Sequence, residues 1–130
     1  MHRSIEWYNE LSGAIWMCCL EVHRELGPGL LESVYEACIL KELRSMGLRA
    51  ENQVSIPIFY KGHELNKRFK IDILVEDEII LELKCVDRIL GVHKAQLLTY
   101  LKLANKRLGF VANYNSELLK DGWNRVVNGL

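Results

Sequence analysis

The chain has 130 residues, 49% hydrophobic and 26% charged, with 17 Lys and Arg balancing 17 Asp and Glu. That length predicts a single domain over 1–130, large enough to bury a core without disulfide or metal staples. Zero net charge excludes a broadly basic surface, so any nucleic-acid contact must be a local patch.

Ile5, Tyr8, Leu11, Ile15, Cys18, Val22 and Leu26 recur at helical spacing, which predicts a first helix over about residues 4–25. "LGPGL" ends it, because Gly27 suits a left-handed cap and Pro28 cannot continue a helix. A second helix is predicted just after Gly29, with Leu31, Val34, Tyr35, Cys38, Ile39, Leu43 and Met46 as its apolar stripe. From Gln53 the period changes to two, and Pro57 marks this strand as an edge or bulged one. "YKGHE" reads as a turn, followed by two strands, "LNKRFKIDILV" and "IILELKCV", joined by "EDE". "HKAQLLTYLKLA" is helical, with Ala95, Leu98, Leu101 and Leu103 apolar, and "RLGFVANY" is a last strand. The tail "SELLKDGWNRVVNGL" reads as a short helix or irregular structure. The order is α-α-β-β-β-α-β-(α), with no repeat and no linker.

Cys18, Cys19, Cys38 and Cys85 lie in apolar runs without CxxC spacing, so reduced structural thiols are expected rather than disulfides or zinc ligands. No apolar run approaches the about 20 residues that span a bilayer, and the N-terminus lacks a signal-peptide pattern. The expectation is a cytoplasmic protein without membrane contact.

The charges in "DILVEDEIILELKCV" are the sequence's main puzzle. Phe69, Ile71, Ile73 and Val75 alternate on one strand, and Leu81, Leu83 and Cys85 on the next. Placing both apolar sets on one side of the sheet centres the turn on Asp77. Ile73 then faces Leu81, Ile71 faces Leu83 and Phe69 faces Cys85. On the other face Asp72 falls opposite Glu82, and Lys70 opposite Lys84. Like charges at that separation, about 5 Å between Cβ atoms, are destabilising. A face built for stability alone would oppose acid and base. Two carboxylates on adjacent strands instead suit a hard cation such as Mg²⁺ or Mn²⁺. Lys84, two residues from Glu82, could then orient a water or stabilise charge on a phosphate.

With Asp72 on one strand and Glu82-Leu83-Lys84 on the next, the chain resembles the PD-(D/E)xK nuclease superfamily, a restriction-endonuclease-like α/β fold. The expected core is αβββαβ, a mixed central sheet flanked by helices, with one extra N-terminal helix. Gly29, Glu32 and Tyr35 in GxxExxY spacing, Gln96 and Tyr100 in "AQLLTYL", "IPIFYKG" and "NRVVN" extend the likeness to the GxxExxY protein family, a prokaryotic branch, over about Glu21 to Asn128. The resemblance implies Asp72, Glu82 and the Leu83 carbonyl as ligands of Mg²⁺ (or Mn²⁺), and Lys84 as the catalytic lysine. Glu32 would add a carboxylate near the metal. Gln96 and Tyr100 would contact substrate, and Tyr35 and Lys70 are further substrate contacts expected beside the site. The implied activity is metal-dependent hydrolysis of phosphodiesters in DNA or RNA, possible as a homodimer.

The residues alone leave plainer readings open. Glu32 suits a helix N-terminus through the dipole, and Tyr35 suits a core position. Gln96 and Tyr100 fit an ordinary helix face, with His93 a surface or capping residue. Lys67, Arg68 and Lys70 could hold phosphates or simply guard an edge strand. A non-catalytic binding or regulatory module on the same fold is the alternative to an enzyme.

Overall fold

The computed structural model describes residues 2–130. Its elements are α1 (Ile5–Leu26), α2 (Glu32–Ser45), β1 (Ala50–Tyr60), β2 (His63–Val75), β3 (Ile79–Lys84), α3 (Gly91–Ala104), β4 (Leu108–Asn113), a 3₁₀ turn (Leu119–Gly122) and β5 (Trp123–Val127). Ser4 starts α1 by accepting the Trp7 N–H at 3.1 Å, and Gly27, at φ +67°, ends it, as the "LGPGL" pattern predicts.

The five strands lie in the order β1-β2-β3-β4-β5. Only β3 and β4 are parallel; the other neighbours are antiparallel. The parallel pair needs a crossover, which α3 supplies. One face of the sheet packs on α1 and α2. Its core holds Tyr8, Ile15, Tyr35, Ile39 and Leu43 against Ile73, Val75, Leu81, Leu83 and Phe110. The other face packs on α3, where Leu97, Tyr100 and Leu101 meet Ile71, Leu74, Ile80 and Val111. Strands β3 and β4 are therefore covered on both faces, which explains the nearly unbroken apolar runs "IILEL" and "LGFVA". No helix among the described residues is long and apolar enough to cross a membrane.

The predicted order holds through β4, and the structure corrects four details. The tail, expected as a short helix or irregular structure, forms a 3₁₀ turn followed by a fifth strand: Trp123 to Val127 add antiparallel to β4. On α3 the buried positions are Leu97, Tyr100 and Leu101, while Ala95 is exposed. The set Phe69, Ile71, Ile73 and Val75 does not share one face. Ile73 and Val75 join the α1/α2 core, whereas Ile71 packs toward α3 with Phe69 against it. The alternation slips at Asp72, across from Gln53, a non-glycine residue at φ +50° inside β1. Finally, Lys70 does not pair with Lys84, nor Phe69 with Cys85, because the β2–β3 ladder runs only from Ile73↔Leu81 to Val75↔Ile79. Pro57 behaves as expected for an edge strand: the β1–β2 register shifts between it and Phe59.

Gly122 marks a tight approach at the end of β4. A Cβ there would run into Ser116 Oγ and come within 2.8 Å of the Asn113 carbonyl oxygen. Asn113 is buried and ties down the segment after β3, donating to the Val86 carbonyl at 2.8 Å and accepting the Val86 N–H at 3.1 Å. Gly122→Ala is expected to destabilise the protein by about 1–3 kcal/mol through overpacking, read as a lower urea midpoint with an unchanged slope. An unchanged midpoint would show that the backbone yields without cost.

Candidate active site

The site is a fork where β2 and β3 part. Beyond Ile73↔Leu81 two carboxylates replace the ladder. Glu82 Oε2 accepts the Asp72 N–H at 2.6 Å, and Asp72 Oδ2 accepts the Leu83 N–H at 2.8 Å. Each acid thus holds the backbone beside the other, which answers why a run so apolar carries them. The Leu83 carbonyl leaves its strand on the same edge as that N–H and so opens toward the same gap.

Both carboxyls are pushed toward their neutral forms. Glu82 is 4% exposed. Burial and then the Asp72 charge push it up to about 8, against smaller opposing effects of the Asp72 N–H bond and Lys84. Asp72 is raised first by burial and further by Glu36 and Glu32, while the bonds from Leu83 and Gln53 oppose the rise. Four acids therefore act on one fork, and Lys84 is the cation beside it.

Helix α2 brings two of those acids. Glu32 is its first residue, and Glu36 lies one turn on. Both line a cleft of about 110 Å³ with Ser33, Gln53, Asp72 and Leu83. The GxxExxY spacing has a physical basis here. Gly29 turns the chain at φ +97°. Tyr35 Oη donates to the Gly27 carbonyl at 2.6 Å and accepts the Leu30 N–H at 3.1 Å. The ring stacks on Tyr114 at 4.4 Å. Tyr35 is fully buried with its hydroxyl committed to the loop, so it is not brought to the cleft as a substrate contact; it fixes the loop that presents Glu32.

Helix α3 supplies the opposite wall. Lys84 Nζ donates to Gln96 Oε1 at 3.4 Å. Tyr100 is buried against Phe69 at 4.9 Å between ring centres, and its hydroxyl is raised by burial first and then by Glu82 and Asp72. His93 accepts the Leu90 N–H through Nδ1 at 2.9 Å and caps the helix. Lys70 lies apart from this group, exposed on β2 opposite Ser55.

The family model of the PD-(D/E)XK nuclease superfamily matches residues 9–126. The chain belongs to that superfamily. A solved structure, the crystal structure of SSO0001, is similar with a TM-score of 0.57 and 19% identity over 75% of this chain and 50% of that one. This chain thus spans about half of that protein, and the likeness concerns the fold. No curated protein matches the chain.

The donor set at the fork fits a hard cation, which takes oxygen ligands. Among the described residues, no group of three or more His, Cys, Asp or Glu side chains could cage a metal ion unaided. Mg²⁺ commonly uses only one or two carboxylates, completed by water and substrate phosphates. A buried and a half-buried acid held against each other's charge offer such a partial shell, and a cation would offset their repulsion.

Gln53 and Glu36 were not legible as site residues. Gln53 Nε2 donates to Glu36 Oε1 at 2.7 Å and to Asp72 Oδ1 at 3.4 Å. Glu36 carries a faint signal, its spacing of four from Glu32. Gln53 carries none, because its left-handed backbone cannot be read from its residue type.

Proposed function

We propose that the chain is a divalent-metal-dependent nuclease of the GxxExxY branch, hydrolysing phosphodiester bonds in nucleic acid in a prokaryotic cytoplasm. The observation that carries the reading is the reciprocal Asp72–Glu82 fork with Lys84 beside it. Asp72, Glu82 and the Leu83 carbonyl would hold Mg²⁺ or Mn²⁺. When bound, such an ion polarises the scissile phosphate and lowers the pKa of a bound water.

The chain's own groups do the rest. Lys84 brings an ammonium to the rim of the fork, where it positions the attacking water or stabilises charge developing on phosphate oxygens. Gln96 steadies Lys84 through its Oε1. Tyr100, whose hydroxyl keeps its proton at neutral pH, donates to a phosphate oxygen. Glu32 adds negative charge on the α2 side and favours the cation. Lys70 contacts the substrate backbone further along β2.

The test is cleavage of labelled single- and double-stranded DNA and RNA in Mg²⁺ or Mn²⁺, beside EDTA. Metal-dependent cleavage lost in Asp72→Asn supports the reading. Absence of cleavage of every substrate, with Mn²⁺ bound, would favour a non-catalytic module.

A further inference from the structure

The β1–β2 hairpin extends beyond the rest of the sheet. Strand β2 begins at His63, yet β3 pairs with it only from Ile73. Residues 57–70 are thus a two-stranded ribbon whose two outer edges are both unpaired. They carry Lys61, Lys67, Arg68 and Lys70 against one carboxylate, Glu64, a local net charge of +3 in a chain whose total is zero. The ion pairs among the described residues are Arg49–Glu51 and Lys106–Asp77, so none of these four cations is paired with a carboxylate. At the tip Phe59 and Tyr60 are 51% and 62% exposed, with Lys61 over the Tyr60 ring.

The two faces of the ribbon differ. Ile56 and Phe69 are register partners and turn toward α3. Arg68 and Lys70 lie on the opposite face, across from Pro57 and Ser55, and Arg68 Nε donates to Ser55 Oγ at 2.6 Å. Asp72 continues this row on the α2 side. Residues two apart along a strand are separated by roughly 7 Å, so Arg68 and Lys70 form a cationic track leading into the carboxylate fork.

We propose that this ribbon is a docking arm for duplex DNA, with Arg68 and Lys70 holding successive phosphates and the Phe59–Lys61 tip reaching a groove. The inference rests on the nucleic-acid reading above. The B-form major groove admits a two-stranded ribbon, whereas the A-form major groove is too narrow for side chains to read. A single-strand platform needs aromatic rings along the track; here the exposed rings sit only at the tip. Concentrating positive charge on the arm lets a neutral chain grip phosphates while its metal fork stays acidic.

The test is fluorescence anisotropy of a labelled 20-base-pair DNA duplex with metal-free full chain in EDTA, over a salt series. Arg68→Ala/Lys70→Ala is expected to weaken binding about 10-fold or more and to lower the salt slope by about 2, with an unchanged melting temperature. Lys67→Ala/Lys70→Ala, which leaves the Arg68–Ser55 bond intact, should also weaken binding. Equal affinity of wild type and both variants, or no duplex binding by wild type in low salt, overturns the inference. Equal or tighter binding of single-stranded DNA or duplex RNA overturns the commitment to duplex DNA. Because no metal is present, a protein that binds through the arm but cleaves nothing keeps this inference and loses the hydrolytic one. A protein that cleaves with an affinity indifferent to the arm does the reverse.

Discussion

Lys84→Ala is expected to lower the rate of phosphodiester cleavage by about 10²–10³-fold, the scale on which one electrostatic stabiliser contributes to a reaction. The side chain reaches the rim of the fork and has no carboxylate within salt-bridge distance among the described residues. Its recorded bond is the 3.4 Å contact with Gln96. Removing it therefore takes a cation from the site without breaking a buried pair, and stability should hold within about 0.5–1 kcal/mol. Mn²⁺ binding should survive, since loss of a nearby positive charge favours a cation. Gln96→Ala, which leaves the ammonium in place, should cost less than Lys84→Ala. Single-turnover cleavage beside thermal melting separates these effects. Full activity in Lys84→Ala would remove the lysine from the chemistry.

The second large effect concerns Glu82 and pH. Its folded pKa, about 8, lies above the ordinary 4.5, so between those values the folded protein binds more protons than the unfolded one. Stability of the metal-free protein must then fall as pH rises through that window and level off above it. Glu82→Gln removes this dependence while keeping a side-chain oxygen to accept the Asp72 N–H. At pH 8 the variant is expected to be more stable than wild type by about 2–4 kcal/mol, with the two converging toward pH 4.5. Urea unfolding at pH 5, 6.5 and 8 in EDTA reads this directly. Parallel pH profiles for the two proteins would mean that Glu82 is not held against its charge. A residue whose removal stabilises the fold is one kept for function.

Much of the site was readable because strand pairing obeys a period of two. Aligning apolar faces placed Ile73 opposite Leu81, as observed, and so brought Asp72 and Glu82 together. The same rule failed one step further. It assumes that a ladder continues, but here the carboxylates themselves take the backbone N–H groups and end it. Lys70 and Lys84 are consequently never paired, and Ile71 turns to the other core. Pattern reading also cannot see Gln53, whose left-handed backbone is fixed by its neighbours. For Tyr35 the core position suggested by its residue type is the one observed, and its hydroxyl secures Gly27 and Leu30 instead of facing the cleft. The tail strand is not legible, because a five-residue edge strand beside β4 has too few positions to show its alternation.

The central claim is that Asp72 and Glu82 form one cation site. Calorimetric titration of Mn²⁺ into metal-free protein, beside Asp72→Asn and Glu82→Gln, tests it most directly. The account predicts saturable binding by the wild type that is lost in both variants, together with proton release that grows below pH 8 as Glu82 ionises. Binding that persists unchanged in both variants would contradict it and move the metal, and the chemistry, elsewhere on the fold.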